Sequence, residues 1–262
     1  MAVNWKGVQD VIAKAETGGI KLGVGAISPS GERFAHNGDR PFVAASTVKI
    51  AIMIEIFRQI DAGRLSLDKL HKMTQDDKSN GSGVLLHMHT GVEVTIGDLV
   101  YLMMSISDNT ATNILIDYAG MEQVNGVMRS LGMPKSVLGR KMRGRPVLPG
   151  ENENLAVPSE YATMIAAIMN GTAASSSSCT QMVSVLEKQQ NNRRIARHLP
   201  RDNTPRWGTK TGSLPNVIND VGFIMTPKGP AIAAVFVENC PDQLHGEQII
   251  GDVARAVVSV VS

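Results

Sequence analysis

The feature that most constrains the fold of this chain is the separation of its strand patterns from most of its helix patterns. Both ends of the chain combine a helical pattern with strands, whereas the long middle stretch carries only helical patterns. Strands from the two ends can complete one sheet only if the ends meet in space. We therefore predict an α/β (α+β) fold, in which an antiparallel sheet is flanked by terminal helices and an all-helical domain is inserted.

Hydrophobic periodicity gives the elements at the two ends. Apolar residues recur at helical spacing from Trp5 to Ala15, and Gly18 and Gly19 end that pattern. Alternating or continuous apolar runs between turn residues predict strands at 22–26, 33–37, 217–225 and 231–237, with a last helix at 247–260. These bounds assign residues 1–43 and 207–262 to an α/β domain and residues 44–206 to a helical domain.

Helical spacing recurs through the middle of the chain, with Gly, Pro and Ser clusters between the segments. The predicted helices cover 50–60, 96–105, 111–118, 121–130, 158–170 and 181–189. Four consecutive serines at 175–178 predict a solvated loop between two of these helices.

Composition and charge exclude several classes of function. Lys plus Arg total 26 against 24 Asp plus Glu, and aromatic residues make up 4%, which argues against a nucleic-acid partner. The basic stretch Arg193, Arg194, Arg197 and Arg201 therefore predicts a solvated face. No apolar run approaches the roughly 18 residues that span a bilayer, so no membrane partner is expected. We expect a monomer.

The N-terminal sequence and the cysteine content give expectations about the cellular compartment and about disulfides. The first residues lack the basic and apolar regions of a signal peptide. We therefore expect a cytoplasmic protein, or an exported one whose signal has been removed.

Cys179 and Cys240 are too few for a disulfide scaffold or a cysteine-based zinc site. They are either free, buried thiols or one bridge. No metal and no cofactor is predicted.

The first polar cluster is Ser46-Thr47-Val48-Lys49, directly before an almost entirely apolar helix. A serine at a helix start is ordinarily an N-cap. The i, i+3 spacing also allows a lysine in a dry pocket to lose its charge and accept the serine's proton. A second Ser-x-x-Lys, from Ser66 to Lys69, lies in a polar stretch and predicts a helix cap or a turn.

The second cluster is Ser107-Asp108-Asn109. It reads either as a turn with the N-cap of the next helix, or as a functional site. In the functional interpretation, Ser107 relays a proton and the amide of Asn109 binds a substrate carbonyl, while Asp108 is structural.

The third cluster is Lys210-Thr211-Gly212-Ser213, before the C-terminal strands. It reads either as an exposed strand end or as an anion-binding segment. In the second case Lys210 and Thr211 meet an anionic substrate group. Gly212 lets the backbone approach the ligand, and the Ser213 N–H donates to a developing oxyanion.

Together, the three clusters resemble the signature of serine β-lactamases and penicillin-binding proteins. Each cluster alone is a weak signal, but all three in this order are rare by chance. The sequence resembles the class A β-lactamase group in particular, since the segments 63–68, 107–113 and 207–212 also look like class A segments. The resemblance extends over nearly the whole chain.

This resemblance implies a role for each motif residue. Ser46 is the acylated nucleophile, Lys49 is its base and Ser107 relays a proton to the leaving nitrogen. The backbone N–H groups of Ser46 and Ser213 form the oxyanion hole. The implied substrate-binding residues are Asn109, Lys210, Thr211 and Ser213.

One departure from class A concerns removal of the acyl group. In that group, a Glu that follows an Arg on the loop before the next helix activates the deacylating water. Here Lys141 follows Arg140, so that Glu is missing. Glu151 or Glu153 is a candidate replacement, although acidic residues before a helix also simply complement its dipole.

The predicted function is serine acyl hydrolysis through an acyl-enzyme at Ser46, and β-lactam hydrolysis is the favoured reaction. The substrate is expected to be a small molecule with a carbonyl and an anionic group. One alternative is a carboxylesterase or amidase on a non-β-lactam substrate, which the missing Glu and the missing signal peptide favour. Another is a penicillin-binding sensor or D,D-peptidase-like domain with slow deacylation.

Overall fold

Strands from both ends of the chain form one antiparallel sheet in the computed structural model, which describes residues 3–200, 202 and 204–261. The strands are β1 Lys21–Ile27, β2 Arg33–His36, β3 Phe42–Val43, β4 Leu70–Lys72, β5 Glu93–Thr95, β6 Leu155–Ala156, β7 Trp207–Leu214, β8 Val217–Thr226 and β9 Gly229–Glu238. The main sheet has the order β2-β1-β9-β8-β7, in which β1 from the N-terminal part pairs with β9. The predicted meeting of the two ends is therefore confirmed.

The helices follow the predicted order, with bounds that differ by a few residues. They are α1 Lys6–Ala15, α2 Lys49–Asp61, α3 Ile96–Ser105, α4 Asn109–Ala119, α5 Met121–Ser130, α6 Pro158–Met169, α7 Ser176–Leu186 and α8 Gln243–Val261. A short 3-10 turn, Ala45–Val48, leads directly into α2.

Both faces of the main sheet are covered, which explains why the central strands read as continuous apolar runs. Strand side chains alternate between the two faces. In β9, Phe236 belongs to the larger hydrophobic cluster that contains α2–α7, while Val235 and Val237 belong to the cluster that contains α1 and α8. The sheet is thus a layer between the terminal helices and the helical region.

The central helix α2 is buried almost from end to end. Every residue from Lys49 to Phe57 is buried. This matches the expectation from its apolar sequence, and it means that the lysine at its start is carried into the interior.

The serine run at 175–178 does not form the loop that the sequence predicts. Ser175 is the N-cap of α7 and accepts a hydrogen bond from the backbone N–H of Ser178, and α7 begins at Ser176. The hydroxyls of Ser175 and Ser178 also donate to Asp61 at the end of α2. Serine is a good N-cap, so the run starts a helix instead of separating two.

Two remaining predictions concern the cysteines and the domains. Cys179 and Cys240 are both buried and free, which confirms the unpaired alternative. The division into residues 1–43 with 207–262 and residues 44–206 stays a prediction. The larger hydrophobic cluster joins residues of both segments, such as Phe42 and Phe236 with α2.

Candidate active site

Residues of all three polar clusters line one cavity of about 310 Å³. Ser46 comes from the turn before α2, Ser107 and Asn109 from the start of α4, and Thr211 and Ser213 from β7. The two lysines, Lys49 and Lys210, are fully buried. Lys49 Nζ is hydrogen-bonded to Ser107 and Asn109, and Lys210 Nζ donates to Thr211 O at 2.8 Å. The structure therefore brings every motif residue that the sequence predicts into one site, although their distances in the chain are large.

Ser46 lies inside the 3-10 turn and is not a helix N-cap. The turn has no side-chain cap, and α2 starts only at Lys49. The preceding Ala45 has φ of +47°, a left-handed conformation that costs energy for a residue with a Cβ. This local strain presents the half-buried Ser46 to the cavity, and no helix-capping bond occupies its hydroxyl.

Three hydrogen bonds fix the turn that carries Ser46. Ala44 N–H donates to Asn154 O at 2.8 Å, and Thr47 Oγ1 donates to Ala44 O at 2.7 Å. Asn219 Nδ2 in β8 donates to Val43 O at 2.8 Å. The turn is therefore held from the sheet on one side and from the segment at Asn154 on the other.

Gly212 lets β7 approach the turn that carries Ser46, and the predicted approach of its backbone to a ligand stays a prediction. A Cβ at this position would lie 2.9 Å from Ala44 O and 3.1 Å from Ser46 N. Only glycine leaves room for this approach. As a result, the backbone of β7 at Gly212 lies next to the backbone nitrogen of Ser46.

Lys49 directs its ammonium group toward the second cluster. Within the described residues, its Nζ donates to Ser107 Oγ at 3.0 Å, Ser107 O at 2.8 Å and Asn109 Oδ1 at 2.9 Å. Burial lowers the pKa of Lys49 well below its ordinary value. The charge of Lys210 lowers this pKa further, while Asp108 opposes the shift. The lowered pKa makes the neutral form of Lys49, which can accept a proton, more accessible than in an exposed lysine.

The second cluster combines a structural aspartate with two site residues. Asp108 caps α4 through the N–H of Ala111 and also accepts from the N–H groups of Val84 and Leu85. The structural role expected for Asp108 is therefore confirmed. The neighbouring Ser107 has φ of +61°, a second strained position.

The third cluster is part of a buried edge strand, which rules out the first of the two alternatives, an exposed strand end. Lys210, Thr211 and Gly212 are buried within β7, between the turn at Ser46 and β8. Burial lowers the pKa of Lys210 to about 7. Arg194 contributes to this shift, and the carboxylate of Asp220 opposes it. Ser213, the next residue, is exposed to the cavity.

Arg194 is the site residue that the sequence analysis missed. It was assigned to a solvated basic face, but it is only 1% exposed. Its guanidinium donates to Gly212 O at 2.9 Å and to Ser213 Oγ at 2.6 Å, and it pairs with the buried Glu247. The partners lie far away in sequence, so no local pattern marked this arginine. The remaining cations of that stretch that the structure describes, Arg193 and Arg197, are exposed, and Arg201 lies outside the described residues.

The loop of residues 140–153, called here the 140–153 loop, forms another wall of the cavity. Its ends are joined by Arg140 and Glu153, whose two hydrogen bonds are both 3.1 Å long. Asn154 Oδ1 accepts from the N–H groups of Gly139 and Arg140. Because Asn154 O also bonds to Ala44, the base of the loop is tied to the turn that carries Ser46.

The candidate deacylation carboxylates on this loop are both engaged by arginines. Glu153 lines the cavity, but it pairs with Arg140. Glu151 forms a two-bond pair with Arg145, which lowers the pKa of Glu151 to about 2. Lys141 lines the cavity and pairs with Asp117.

Met142 adds an apolar side chain to the same wall. It lines the cavity and is 8% exposed. The amide of Asn113 both donates to Met142 O and accepts from Met142 N–H. The loop is thus held in position next to the site by its backbone.

The second Ser-x-x-Lys lies outside the cavity. Ser66 is exposed, and its hydroxyl accepts from the N–H of Asp68, while Lys69 N–H donates to Ser66 O. The prediction of a cap or turn residue is confirmed at Ser66.

A model of the β-lactamase enzyme family matches residues 5–261 of this chain. The chain belongs to this family. The match spans almost the whole sequence, so both the terminal elements and the inserted helices are part of the family's common structure.

Individual relatives agree with this assignment. A β-lactamase of Rhodobacter capsulatus is 27% identical over 250 residues, which cover 93% of this chain and 84% of the relative. The crystal structure of a β-lactamase from Sphaerobacter thermophilus is 54% identical, with a TM-score of 0.97, and covers 99% of this chain and 98% of that chain. A structure of PBP-A is 25% identical, with a TM-score of 0.86, and covers 97% of this chain and 95% of that chain.

These comparisons confirm the predicted fold and the class A β-lactamase-like character of the protein. It is a β-lactamase-like hydrolase by family. Within the part of the chain that the structure describes, no helix combines the length and apolar character needed to cross a bilayer. The same residues contain no group of three or more His, Cys, Asp or Glu side chains that could hold a metal ion.

Proposed function

We propose that this protein hydrolyses β-lactams through an acyl-enzyme formed at Ser46. The observation that carries the proposal is the shared cavity, which Ser46, Ser107 and Ser213 line from three separate elements, and in which Ser107 is hydrogen-bonded to the buried Lys49. Family membership and the β-lactamase names of the relatives support it.

Acylation begins with proton transfer from Ser46. Neutral Lys49 accepts the hydroxyl proton as Ser46 Oγ bonds to the carbonyl carbon. The lowered pKa of Lys49 makes this neutral form more accessible than in an exposed lysine. When the carbon–nitrogen bond breaks, the Ser107 hydroxyl gives its proton to the leaving nitrogen. Ser107 then regains a proton from Lys49, to which it is hydrogen-bonded at 3.0 Å.

The transition state is stabilised by backbone donors and by charge. The N–H groups of Ser46 and Ser213 bind the oxyanion, and the close approach at Gly212 supports their neighbouring positions. Lys210 and Thr211 bind an anionic group of the substrate, while Asn109 binds a carbonyl. Arg194 holds Ser213 Oγ in place and adds positive potential beside that anionic group.

Deacylation uses the same lysine. Glu151 and Glu153 are paired with arginines, so neither is a free base. Lys49 therefore activates the water that attacks the acyl-enzyme, and its proton returns to Ser46 Oγ when the acyl group leaves. We expect this step to be slower than acylation, because the cavity wall offers no unpaired carboxylate among the described residues.

A comparison of two substrates tests the proposal. The protein is expected to turn over a chromogenic cephalosporin, and Ser46→Ala is expected to remove that activity while the protein stays folded. Turnover of a short-chain nitrophenyl ester without any cephalosporin turnover would overturn the proposal in favour of an esterase. A penicillin adduct that never leaves Ser46 would overturn it in favour of a penicillin sensor.

A further inference from the structure

The 140–153 loop brings several positively charged side chains to the wall of the cavity. Four of its cationic side chains line the same space as Ser46, namely Arg140, Lys141, Arg143 and Arg145. A cation that already pairs with a carboxylate attracts a further anion only weakly. The carboxylate partner of each cation therefore decides how strongly this wall attracts an anionic substrate.

Three of the four cations have a carboxylate of their own. Arg140 pairs with Glu153 at 3.1 Å, and both side chains are largely buried. Arg145 makes two hydrogen bonds to Glu151, at 2.7 and 2.8 Å. Lys141 pairs with Asp117 on α4. These three pairs are neutral units.

Arg143 is the cation left in excess. Its nearest carboxylate atom is Glu151 Oε1 at 3.9 Å, an oxygen that already accepts from Arg145. The guanidinium makes no hydrogen bond to any residue that the structure describes, and its side chain is 56% exposed. The loop wall therefore has one uncompensated positive charge, on a side chain that lines the cavity.

We propose that Arg143 is a specificity-determining residue that favours substrates with an anionic group on the acyl side chain. This inference rests on the proposed function. The anionic group bound by Lys210 and Thr211 meets β7, whereas Arg143 comes from a different element and meets a different part of the substrate. The preferred substrates are thus small β-lactams with two anionic groups, one at each end.

Three penicillins provide a test because they differ at a single substituent. Benzylpenicillin has a neutral benzyl side chain, carbenicillin adds an α-carboxylate, and ampicillin adds an α-amino group. The measurement is the second-order rate constant of acylation for each compound, followed by intact-protein mass, so slow deacylation does not affect the result.

The variants separate the charge of Arg143 from the overall charge of the protein. Arg143→Gln removes the charge, Arg143→Lys keeps it and Arg143→Glu reverses it. Arg129→Gln is the matched control, since Arg129 is 57% exposed and does not line the cavity. Circular dichroism and thermal unfolding check that each variant is folded.

We expect Arg143→Gln to lower the ratio of carbenicillin to benzylpenicillin rates by about 2- to 5-fold, the range of an exposed charge pair. Arg143→Lys and Arg129→Gln should keep the wild-type ratio, and Arg143→Glu should shift the preference toward ampicillin. Added salt should weaken the wild-type preference for carbenicillin.

The experiment distinguishes failure of this inference from failure of the proposed function. If the wild-type protein is acylated by all three compounds and Arg143→Gln leaves the ratio as in Arg129→Gln, this inference is overturned and the proposed function stands. If the wild-type protein is acylated by none of them, both are overturned.

Discussion

Two buried lysines share one site, and burial lowers the pKa of each. Charging both at once is unfavourable because each cation raises the free energy of the other. Asp220, fully buried on β8, is the carboxylate that supports a charge on Lys210. The expected working state is therefore a neutral Lys49 with a charged Lys210, which gives one base and one anion-binding cation.

Replacing Lys49 by arginine tests the assignment of the base. Arginine stays protonated at all accessible pH values and cannot accept the proton of Ser46. We expect Lys49→Arg to slow acylation by about 10³-fold, within the usual range for loss of a general base, and raising the pH should not restore it. The exposed Lys72 provides the control variant Lys72→Arg. Acylation of Lys49→Arg at the wild-type rate would exclude Lys49 as the base.

The pH dependence of kcat/KM tests the charge states. Loss of the Lys49 proton should raise the rate, because the neutral amine is the base. Loss of the Lys210 charge, whose pKa is about 7 before an anionic substrate binds, should lower it. The charge of Asp220 raises this pKa, so Asp220→Asn should lower it and move the alkaline limb to lower pH. An alkaline limb that stays in place, in a variant with a normal unfolding transition, would contradict this arrangement.

At the level of elements, the site depends on how closely β7 and the 140–153 loop approach the turn Ala45–Val48. The strand approaches through Gly212, and the loop is tied to the turn through Asn154. Both approaches bring backbone atoms of neighbouring elements together. Small shifts of either element should therefore misplace Ser46 and its oxyanion donors and change the rate of acylation.

Adding one methyl group to β7 tests its close approach. The Cβ of Gly212→Ala would lie 2.9 Å from Ala44 O, so β7 and the turn must separate. We expect a loss of about 1–3 kcal/mol in the free energy of unfolding and at least about a 10-fold slower acylation. Gly126→Ala in α5 is the control, since its Cβ meets only Arg129 at 3.8 Å and helix propensity favours alanine. Equal effects of the two changes would contradict the steric argument.

The ion pair at the base of the 140–153 loop can be tested in the same way. Arg140→Gln leaves the carboxylate of Glu153 without its cation in a place where it is only 15% exposed. We expect a loss of about 1–3 kcal/mol in stability and faster proteolytic cleavage within the loop. Arg145→Gln should have a smaller effect, because the Arg145–Glu151 pair is more exposed. Limited proteolysis would contradict the tethering role if both variants were cut at the wild-type rate.

Periodicity predicted the elements whose burial follows from their own sequence. The strands β1, β8 and β9 and the helix α2 carry apolar patterns that match their burial. Strand β7 was not predicted, because a segment that buries Thr209 and Lys210 lacks any such pattern. Its strand conformation follows from pairing with β8 and from covering the turn at Ser46.

The site residues, too, were predictable only where a local sequence pattern marks them. The motif residues were found because the chemistry requires fixed residue types at short spacing, as in Ser46 and Lys49. Arg194 was not found, because its burial depends on Glu247 and on backbone carbonyls of β7 and β8 that are remote in sequence. The pairing of Glu153 with Arg140 likewise follows from loop closure, which no local pattern encodes.

On the scale of the whole molecule, the near-neutral net charge of +2 conceals a local concentration of cations at the site. Lys210, Arg194 and Arg143 lie in or beside the cavity, and the buried carboxylates of Asp220 and Glu247 lie behind the first two. Such a distribution attracts small anions to one place without making the protein a general polyanion binder. The sheet that carries Lys210 and Asp220 lies between the two hydrophobic clusters.

The most direct test of the central claim is the intact mass of the protein during exposure to benzylpenicillin, with peptide mapping of any adduct. We expect one adduct, located on the peptide that contains Ser46, which disappears as the penicillin is consumed and leaves the original mass. Ser46→Ala should show no adduct at any time. A wild-type protein that is never modified, or an adduct that persists in Ser46→Ala, would contradict the proposed acyl-enzyme.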